Sequence, residues 1–177
     1  MVDSPSTTNY FKGTGFAKWT PTGGVERDLG NIVECKLTPT VTKKTHSTSR
    51  QGTTKVDLTS FVDQAVTIDI TLDEITADNL SMLLMDQAPD INTAGNVKTV
   101  RIMKDSVITG SLTFTGTNDV GNVVDGDFPS VSFGPTSSFS LISSADYEQV
   151  QISGDLQAVE QSDGSSNFGT LTVTDAA

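Results

Sequence analysis

The sequence predicts a mainly β fold, a sandwich or barrel of short strands with one convincing α-helix. Thr, Ser and Val are frequent while Lys is modest and Glu is scarce beside Asp, which favours strands and turns over helices. Residues 65–73 alternate strictly between apolar and polar side chains. Several short strand-like runs are separated by turn sequences, as in all-β domains. The length of 177 residues suits a single domain.

The first two strands are predicted at residues 15–20 and 32–41. The turn sequence Pro21-Thr22-Gly23-Gly24 closes the first of them. Pro39 interrupts the second, which indicates a sheet edge or a bulge at that point. Alternation places Cys35 on an apolar face of this strand, so we expect a small buried side chain. As the lone cysteine it forms no disulfide within the chain.

Residues 42–60 form a polar stretch that predicts a long loop. It carries four of the eleven Lys and Arg residues of the chain: Lys43, Lys44, Arg50 and Lys55. Long loops without a core of their own are uncommon in compact domains and are usually functional or disordered. The stretch is therefore either a contact arm or a solvated, mobile loop.

The clearest strand, residues 65–73, precedes the predicted helix. Its apolar face contains Val66, Ile68, Ile70 and Leu72, and we expect that face to be buried. Thr76 is a suitable helix N-cap, and an apolar stripe of Leu80, Leu83 and Leu84 follows. The helix is predicted to end near Asp86. Further strands are predicted at residues 97–104, 107–115, 130–133, 139–142, 147–158 and 168–173.

The charge is unevenly distributed along the chain. The net charge is −11, and from Asp105 onward there are ten acidic residues and no Lys or Arg. Tight binding to a phosphate backbone needs clustered cations, which argues against a stable nucleic-acid complex. A surface that repels nucleic acid and simple solubility are both compatible with this charge. No apolar run is long enough for a membrane span, and we expect synthesis in a cytoplasm.

Catalytic and metal-binding patterns are absent from the sequence. The single histidine, His46, lies in a polar stretch with no partners for a catalytic triad. Asp69 and Asp73 share a strand face and could hold a cation or act as a catalytic pair. The alternative is that these two aspartates are simply part of the solvent-exposed face of an amphipathic strand. We expect no cofactor, no metal and no enzyme activity, with a hydrolase using these two residues as the competing hypothesis.

Three stretches of the sequence form a recognisable series. The first is Leu29-Gly30-Asn31-Ile32, which enters a strand. The second is Thr48-Ser49-Arg50-Gln51-Gly52, which leads to residues 65–70 and then to Leu72-Asp73-Glu74-Ile75-Thr76-Ala77-Asp78-Asn79-Leu80. The third is Leu112-Thr113-Phe114-Thr115-Gly116-Thr117-Asn118-Asp119-Val120-Gly121, followed by Pro129-Ser130-Val131 and Leu141-Ile142-Ser143. In this order and spacing, over about residues 14–160, they resemble the major tail tube proteins of long-tailed bacteriophages. Residues 1–13 are then an N-terminal arm and residues 161–177 a C-terminal strand or tail.

The resemblance implies two packed β-sheets with one flanking helix, the tail-tube fold. Six subunits would close a ring, and stacked rings would form the tube of a virion tail, assembled in the host cytoplasm. The tube would guard a tape-measure protein, join tail terminator and distal tail proteins, and later conduct DNA. A tail-completion or minor tail protein and a capsid decoration or host-recognition β-domain are the alternatives.

Two sets of site residues follow from the resemblance. Residues 42–60 are expected to contact the neighbouring ring through Lys43, Lys44, His46, Arg50 and Lys55. The solvent-exposed strand faces that carry acidic side chains are expected to line the lumen. Their members are Asp69, Asp73, Gln149, Gln151 and Asp155. The alternative for this second set is the outer surface or a ring interface.

Overall fold

The computed structural model describes residues 10–50, 52–92, 97–135, 137–142 and 147–175. In this part of the chain there is one helix, α1 (Ala77–Leu83), among twelve strands. The strands are β1 (Gly15–Pro21), β2 (Arg27–Asp28), β3 (Ile32–Thr48), β4 (Lys55–Leu72), β5 (Asp90–Asn92), β6 (Val97–Thr99), β7 (Ile108–Gly116), β8 (Val123–Pro135), β9 (Val150–Leu156), β10 (Val159–Glu160), β11 (Ser166–Asn167) and β12 (Thr170–Thr174). The predicted mainly β fold with a helix is confirmed.

Eight of the described strands form one large antiparallel sheet in the order β2-β1-β7-β8-β9-β4-β3. The eighth, β12, pairs with the first half of β8, while β9 pairs with the second half. A register shift in the β7–β8 pair lies between these two halves. Such an irregularity bends a strand and increases its twist. The described residues also form two small two-stranded sheets, β5-β6 and β10-β11.

Strands β3 and β4 form a hairpin that is much longer than the sequence predicted. The loop predicted at residues 42–60 is wrong, because β3 continues to Thr48 and β4 begins at Lys55. Thr-rich alternating residues satisfy their backbone groups by pairing with each other, so a strand can extend without a core beneath it. Pro39 lies on β3, which is an edge strand, as the sequence predicted.

The helix begins where the sequence predicted and ends earlier. Thr76 is the N-cap, and its hydroxyl oxygen accepts a 3.0 Å hydrogen bond from the backbone N–H of Asn79. The helix ends at Leu83, and Met85 follows with a φ of 61°. Its buried residues are Asn79, Ser81, Met82 and Leu83, so the predicted stripe is only partly right.

Other predicted strands differ from the structure in extent. The run at 97–104 is a strand only to Thr99, and described residues 137–142 contain no strand. The segment predicted at 130–133 is longer, since β8 covers Val123–Pro135. Strand β9 is shorter than the run 147–158, and β12 begins two residues later than predicted. Propensity alone does not specify which runs find a pairing partner.

The core lies on one side of the large sheet and is covered by the helix. Trp19 packs edge-to-face against Phe133, with ring centroids 4.9 Å apart. The alternation predicted for β4 is confirmed, because Ile68, Ile70 and Leu72 are fully buried. The side chains that complete this core are Ala17, Leu29, Met82, Leu83, Met85, Ile108, Leu112, Phe128, Val131, Val150, Ile152 and Leu156.

A buried amide connects the helix to the strands. The Asn79 side-chain nitrogen donates to the carbonyl oxygens of Leu29 and Glu74, at 2.9 and 3.0 Å. Its side-chain oxygen accepts a 2.7 Å hydrogen bond from the Arg27 guanidinium. Burial lowers the pKa of Arg27, and the nearby Asp78 charge opposes that shift. Each polar atom of the Asn79 side chain is therefore satisfied, which makes this position specific for an amide.

A buried carboxylate fixes the segment after β6. Asp86 is fully buried and accepts hydrogen bonds from the backbone N–H and the guanidinium of Arg101, at 2.9 and 3.2 Å. Lys104 lies 3.4 Å away on the other oxygen. Burial by itself raises the pKa of this carboxyl, but these donors together outweigh it and leave the pKa lowered.

Candidate assembly surface

The outer half of the β3–β4 hairpin has an apolar face that continues the core side of the sheet. In the strand register Cys35 lies opposite Ile70 and Leu37 lies opposite Ile68. The two isoleucine side chains are buried. Paired residues share a face and alternate along the strand. The register shift after Thr42 then places the Lys43–Phe61 pair on that same core side. The face of the sheet that borders the core therefore continues onto the outer half of the hairpin, past the end of the core.

No part of the described chain covers this extension. The large apolar side chains of the outer hairpin are more than two-fifths exposed, and they are Val41, Val56, Leu58, Phe61 and Val62. Leu58 lies opposite His46, on the other face from Phe61. Contiguous exposed apolar surface on a folded domain usually marks an interaction site. The outer hairpin, defined as residues 41–62, is the candidate assembly surface of the molecule.

Both edges of the outer hairpin are free within the described residues. Strand β9 pairs with β4 only over Val66–Leu72, so residues 55–65 have a single partner strand, β3. Strand β3 in turn is the last strand of the large sheet. Unpaired edge groups are a template for pairing with another chain. The outer hairpin can therefore be contacted through its apolar face and through two rows of backbone donors and acceptors.

The five residues predicted to contact a neighbouring ring all lie on this hairpin or its connection. Lys43 Nζ lies 5.4 Å from the centroid of the Phe61 ring, a cation–π distance. His46 Nδ1 lies 2.6 Å from Asp57 Oδ1. Lys44 and Lys55 lie on the strands, and Arg50 lies in the connection between them. All five are exposed, so this surface is basic as well as apolar.

Three of the five predicted lumen residues lie together on the solvent face of β4 and β9. Asp155 pairs with Thr67, Asp69 pairs with Ser153, and Gln151 pairs with Thr71. Paired and alternating positions share one face, opposite the buried Ile68, Ile70 and Ile152. This polar sheet face is the second candidate surface.

The other two predicted lumen residues, Asp73 and Gln149, lie just outside these strands. Both oxygens of Asp73 accept hydrogen bonds from the Asn31 side-chain nitrogen, at 2.8 and 2.7 Å. That amide holds Asp73 against the segment leading into β3. Asp73 thus lies one residue beyond β4, and its carboxylate is used in a contact within the chain.

Two further acidic residues on the same sheet were not among the predicted lumen residues. Asp125 and Asp127 lie on β8, where they pair with Thr172 and Thr170 of β12. Asp125 also accepts a 3.0 Å hydrogen bond from the backbone N–H of Gly116. Their alternation with Val124 and the buried Phe128 was the available signal. It was obscured by the Asn, Asp and Gly residues of the preceding turn.

The cysteine prediction is wrong in one respect. Cys35 is exposed, because β3 is an edge strand and no neighbouring strand covers it. Its thiol nevertheless faces apolar neighbours, and this desolvation raises its pKa to about 11. Among the described residues, no group of three His, Cys, Asp or Glu side chains is positioned to hold a metal ion.

No model of a known protein family matches this chain, and a search of curated proteins finds no match. In the described part of the chain, the helix is too short to cross a membrane. A functional assignment for this protein therefore depends on its surfaces and on the sequence resemblance.

Proposed function

We propose that this protein is a structural subunit that polymerises into a tube, the major tail tube protein of a long-tailed bacteriophage. The observation that carries the proposal is the outer hairpin, which exposes apolar side chains and two free strand edges. A monomer gains nothing from such a surface and is at risk of uncontrolled aggregation. Self-association in a closed ring, with rings stacked on one another, covers it.

Charge complementarity supports contact between copies of the chain. Within residues 42–60 there are four bases and one acid, Asp57, so this stretch carries a formal charge of +3. Residues 105–177 contain ten acids and no Lys or Arg, which gives −10. A basic hairpin on one copy is thus attracted to the acidic body of the next. Heterologous contacts of this kind close into rings or extend into filaments.

The polar sheet face is assigned to the lumen in this proposal. Asp69 and Asp155 on β4 and β9 would give the wall negative charge, which repels phosphates and lets DNA pass without binding. The tube would surround a tape-measure protein and end on tail terminator and distal tail proteins. The subunit would then be located in the virion tail, without enzyme activity.

Negative-stain imaging of the purified chain over a range of concentrations tests the proposal. We expect rings or tubes of constant width. A protein that forms neither at any concentration contradicts the tube assignment and favours a tail-completion or minor tail protein.

Charge reversal tests the role of the hairpin. The double variant Lys44→Glu/Lys55→Glu should raise the protein concentration needed for assembly by at least about tenfold, corresponding to about 1.4 kcal/mol. The matched control, Lys18→Glu/Lys98→Glu, changes the net charge equally on surface residues away from the hairpin. Equal effects of the two double variants would assign assembly to net charge and not to the hairpin.

A further inference from the structure

A pocket of about 310 Å³ lies between the helix and the first two strands. Its walls come from β1, β2, α1, the segment after the helix and the first residue of β7. Its apolar lining includes Trp19, Met82, Pro89 and Ile108. Small-molecule sites are concave and mostly apolar, with volumes of about 300–1,000 Å³ and a few polar groups that orient the ligand. This pocket has the size and the lining of a site for a small ligand.

The polar group that distinguishes the pocket is the guanidinium of Arg27. Arg27 pairs directly with Trp19 in the β1–β2 register, and paired residues share one face of a sheet. Trp19 is buried in the core, so β2 brings a cation to the side of the sheet that the helix covers. Charged side chains are seldom placed on such a face unless an opposite charge accompanies them.

Every acceptor that Arg27 reaches in the described chain is neutral. Its guanidinium donates to the Asn79 side-chain oxygen at 2.7 Å, to the Asp78 carbonyl oxygen at 2.8 Å and to the Met82 sulfur at 2.9 Å. A guanidinium has five N–H donors. At least two N–H groups of Arg27 therefore have no acceptor among the described residues.

The carboxylate on the pocket wall is engaged with a different cation. Asp78 Oδ2 lies 2.9 Å from Lys98 Nζ, and the two groups form an ion pair. The Asp78 charge raises the pKa of Arg27, but burial outweighs it and leaves that pKa lowered. A desolvated guanidinium is best stabilised by a hydrogen-bonded carboxylate, whose geometry matches its planar donors. Arg27 thus has both the spare donors and the uncompensated charge to bind one more carboxylate.

We propose that this pocket binds a small monocarboxylate with an apolar body, an aromatic ring or a short alkyl chain. The carboxylate accepts hydrogen bonds from the spare N–H groups of Arg27, and the apolar body packs against Trp19 and Ile108. Since Asp78 lies on the same wall, a singly charged group is favoured over a phosphate dianion. The site goes beyond the proposed function, because among the described residues no part of the outer hairpin lines the pocket.

Trp19 provides a direct readout, since it lines the pocket and is the single tryptophan of the chain. Titration of the full chain with sodium benzoate should give a saturable change in Trp19 fluorescence. The dissociation constant should be on the order of 1 mM, as for a ligand of about nine non-hydrogen atoms. Benzamide has the same shape without the charge, and it should bind at least about tenfold more weakly because the charge-assisted hydrogen bond is lost. Equal affinities for the two compounds, or no saturable response to benzoate, would overturn the proposal.

A substitution of Arg27 tests its role. Arg27→Gln should weaken benzoate binding at least about tenfold and leave the weak benzamide binding unchanged, a selectivity that a loss of packing would not produce. Lys12→Gln is the matched control for net charge, since Lys12 is exposed and does not line the pocket, and it should bind benzoate like wild type. Wild-type benzoate affinity in folded Arg27→Gln protein would refute the assignment. Should that variant fail to fold, the comparison of benzoate with benzamide on wild-type protein decides the matter by itself.

Two further probes define the ligand. Inorganic phosphate should not displace benzoate, and displacement at equal concentrations would contradict a site selective for monocarboxylates. The peptide acetyl-Leu-Glu-amide presents the same carboxylate on a polypeptide. Tighter binding of benzoate than of this peptide assigns the pocket to a free small molecule. The reverse order would overturn that assignment in favour of an acidic side chain of a polypeptide.

Discussion

Replacing Phe61 with serine should separate the assembly of the subunit from its folding. The Phe61 side chain lies on the outer hairpin, and the Lys43 ammonium lies 5.4 Å from its ring centroid. An exposed cation–π contact contributes about 0.5–1 kcal/mol. About 70 Å² of the side chain is already covered in the single chain, and losing that burial costs about 2 kcal/mol. The isolated subunit should therefore lose about 2–3 kcal/mol of stability in total.

The effect on assembly comes in addition. A Phe side chain buries about 200 Å² when fully covered, and Phe61 is 65% exposed in the single chain. Assembly can then remove about 130 Å² from water, which at about 25 cal/mol per Å² is about 3 kcal/mol. Because about 1.4 kcal/mol corresponds to a factor of ten, the subunit affinity should fall by about a hundredfold.

Sedimentation velocity over a concentration series measures this affinity, and thermal unfolding of dilute protein measures monomer stability. Val25→Ser is the matched control, since Val25 is 84% exposed and lies between β1 and β2, away from the hairpin. We expect the control to assemble like wild type. Phe61→Ser protein that assembles within threefold of the wild-type concentration would refute the assignment of the hairpin as an interface.

Two further predictions concern the folded subunit. Asn79→Leu should destabilise it by about 3 kcal/mol in urea unfolding, because the carbonyl groups of Leu29 and Glu74 lose their donor in a buried site. Asp86 has a lowered folded pKa, so its contribution to stability is present above the unfolded value of about 3.9 and is lost as pH falls through the folded pKa. Between pH 2 and 7, the free energy of unfolding should therefore fall more steeply with decreasing pH for wild type than for Asp86→Asn. Equal slopes for the two proteins would contradict this account.

Local patterns in the sequence correctly predicted those structural features that are determined by residues close together in the chain. Strict alternation in residues 65–73 identified the buried face of β4, and Thr76 marked the helix start. Pro39 indicated a sheet edge. Each of these depends on side-chain direction, hydrogen bonding or a missing donor within a few residues.

The partners of each strand depend on contacts between distant residues, which local patterns do not contain. Residues 42–48 and 55–60 are polar and lack a core, so composition predicted a loop where long-range pairing forms a hairpin. For the same reason the exposure of Cys35 was missed, since only the strand order makes β3 an edge.

The charge split and the shared polar face of Asp69 and Asp73 were evident from the sequence. The tertiary structure placed Asp69 on one face with Gln151 and Asp155, and paired the Asp73 carboxylate with the Asn31 amide. It also extended the core face of the sheet onto an uncovered hairpin. Sequence alone thus determined which side chains prefer burial or solvent. Only the fold decided which apolar side chains remain uncovered, because burial depends on what packs across the sheet.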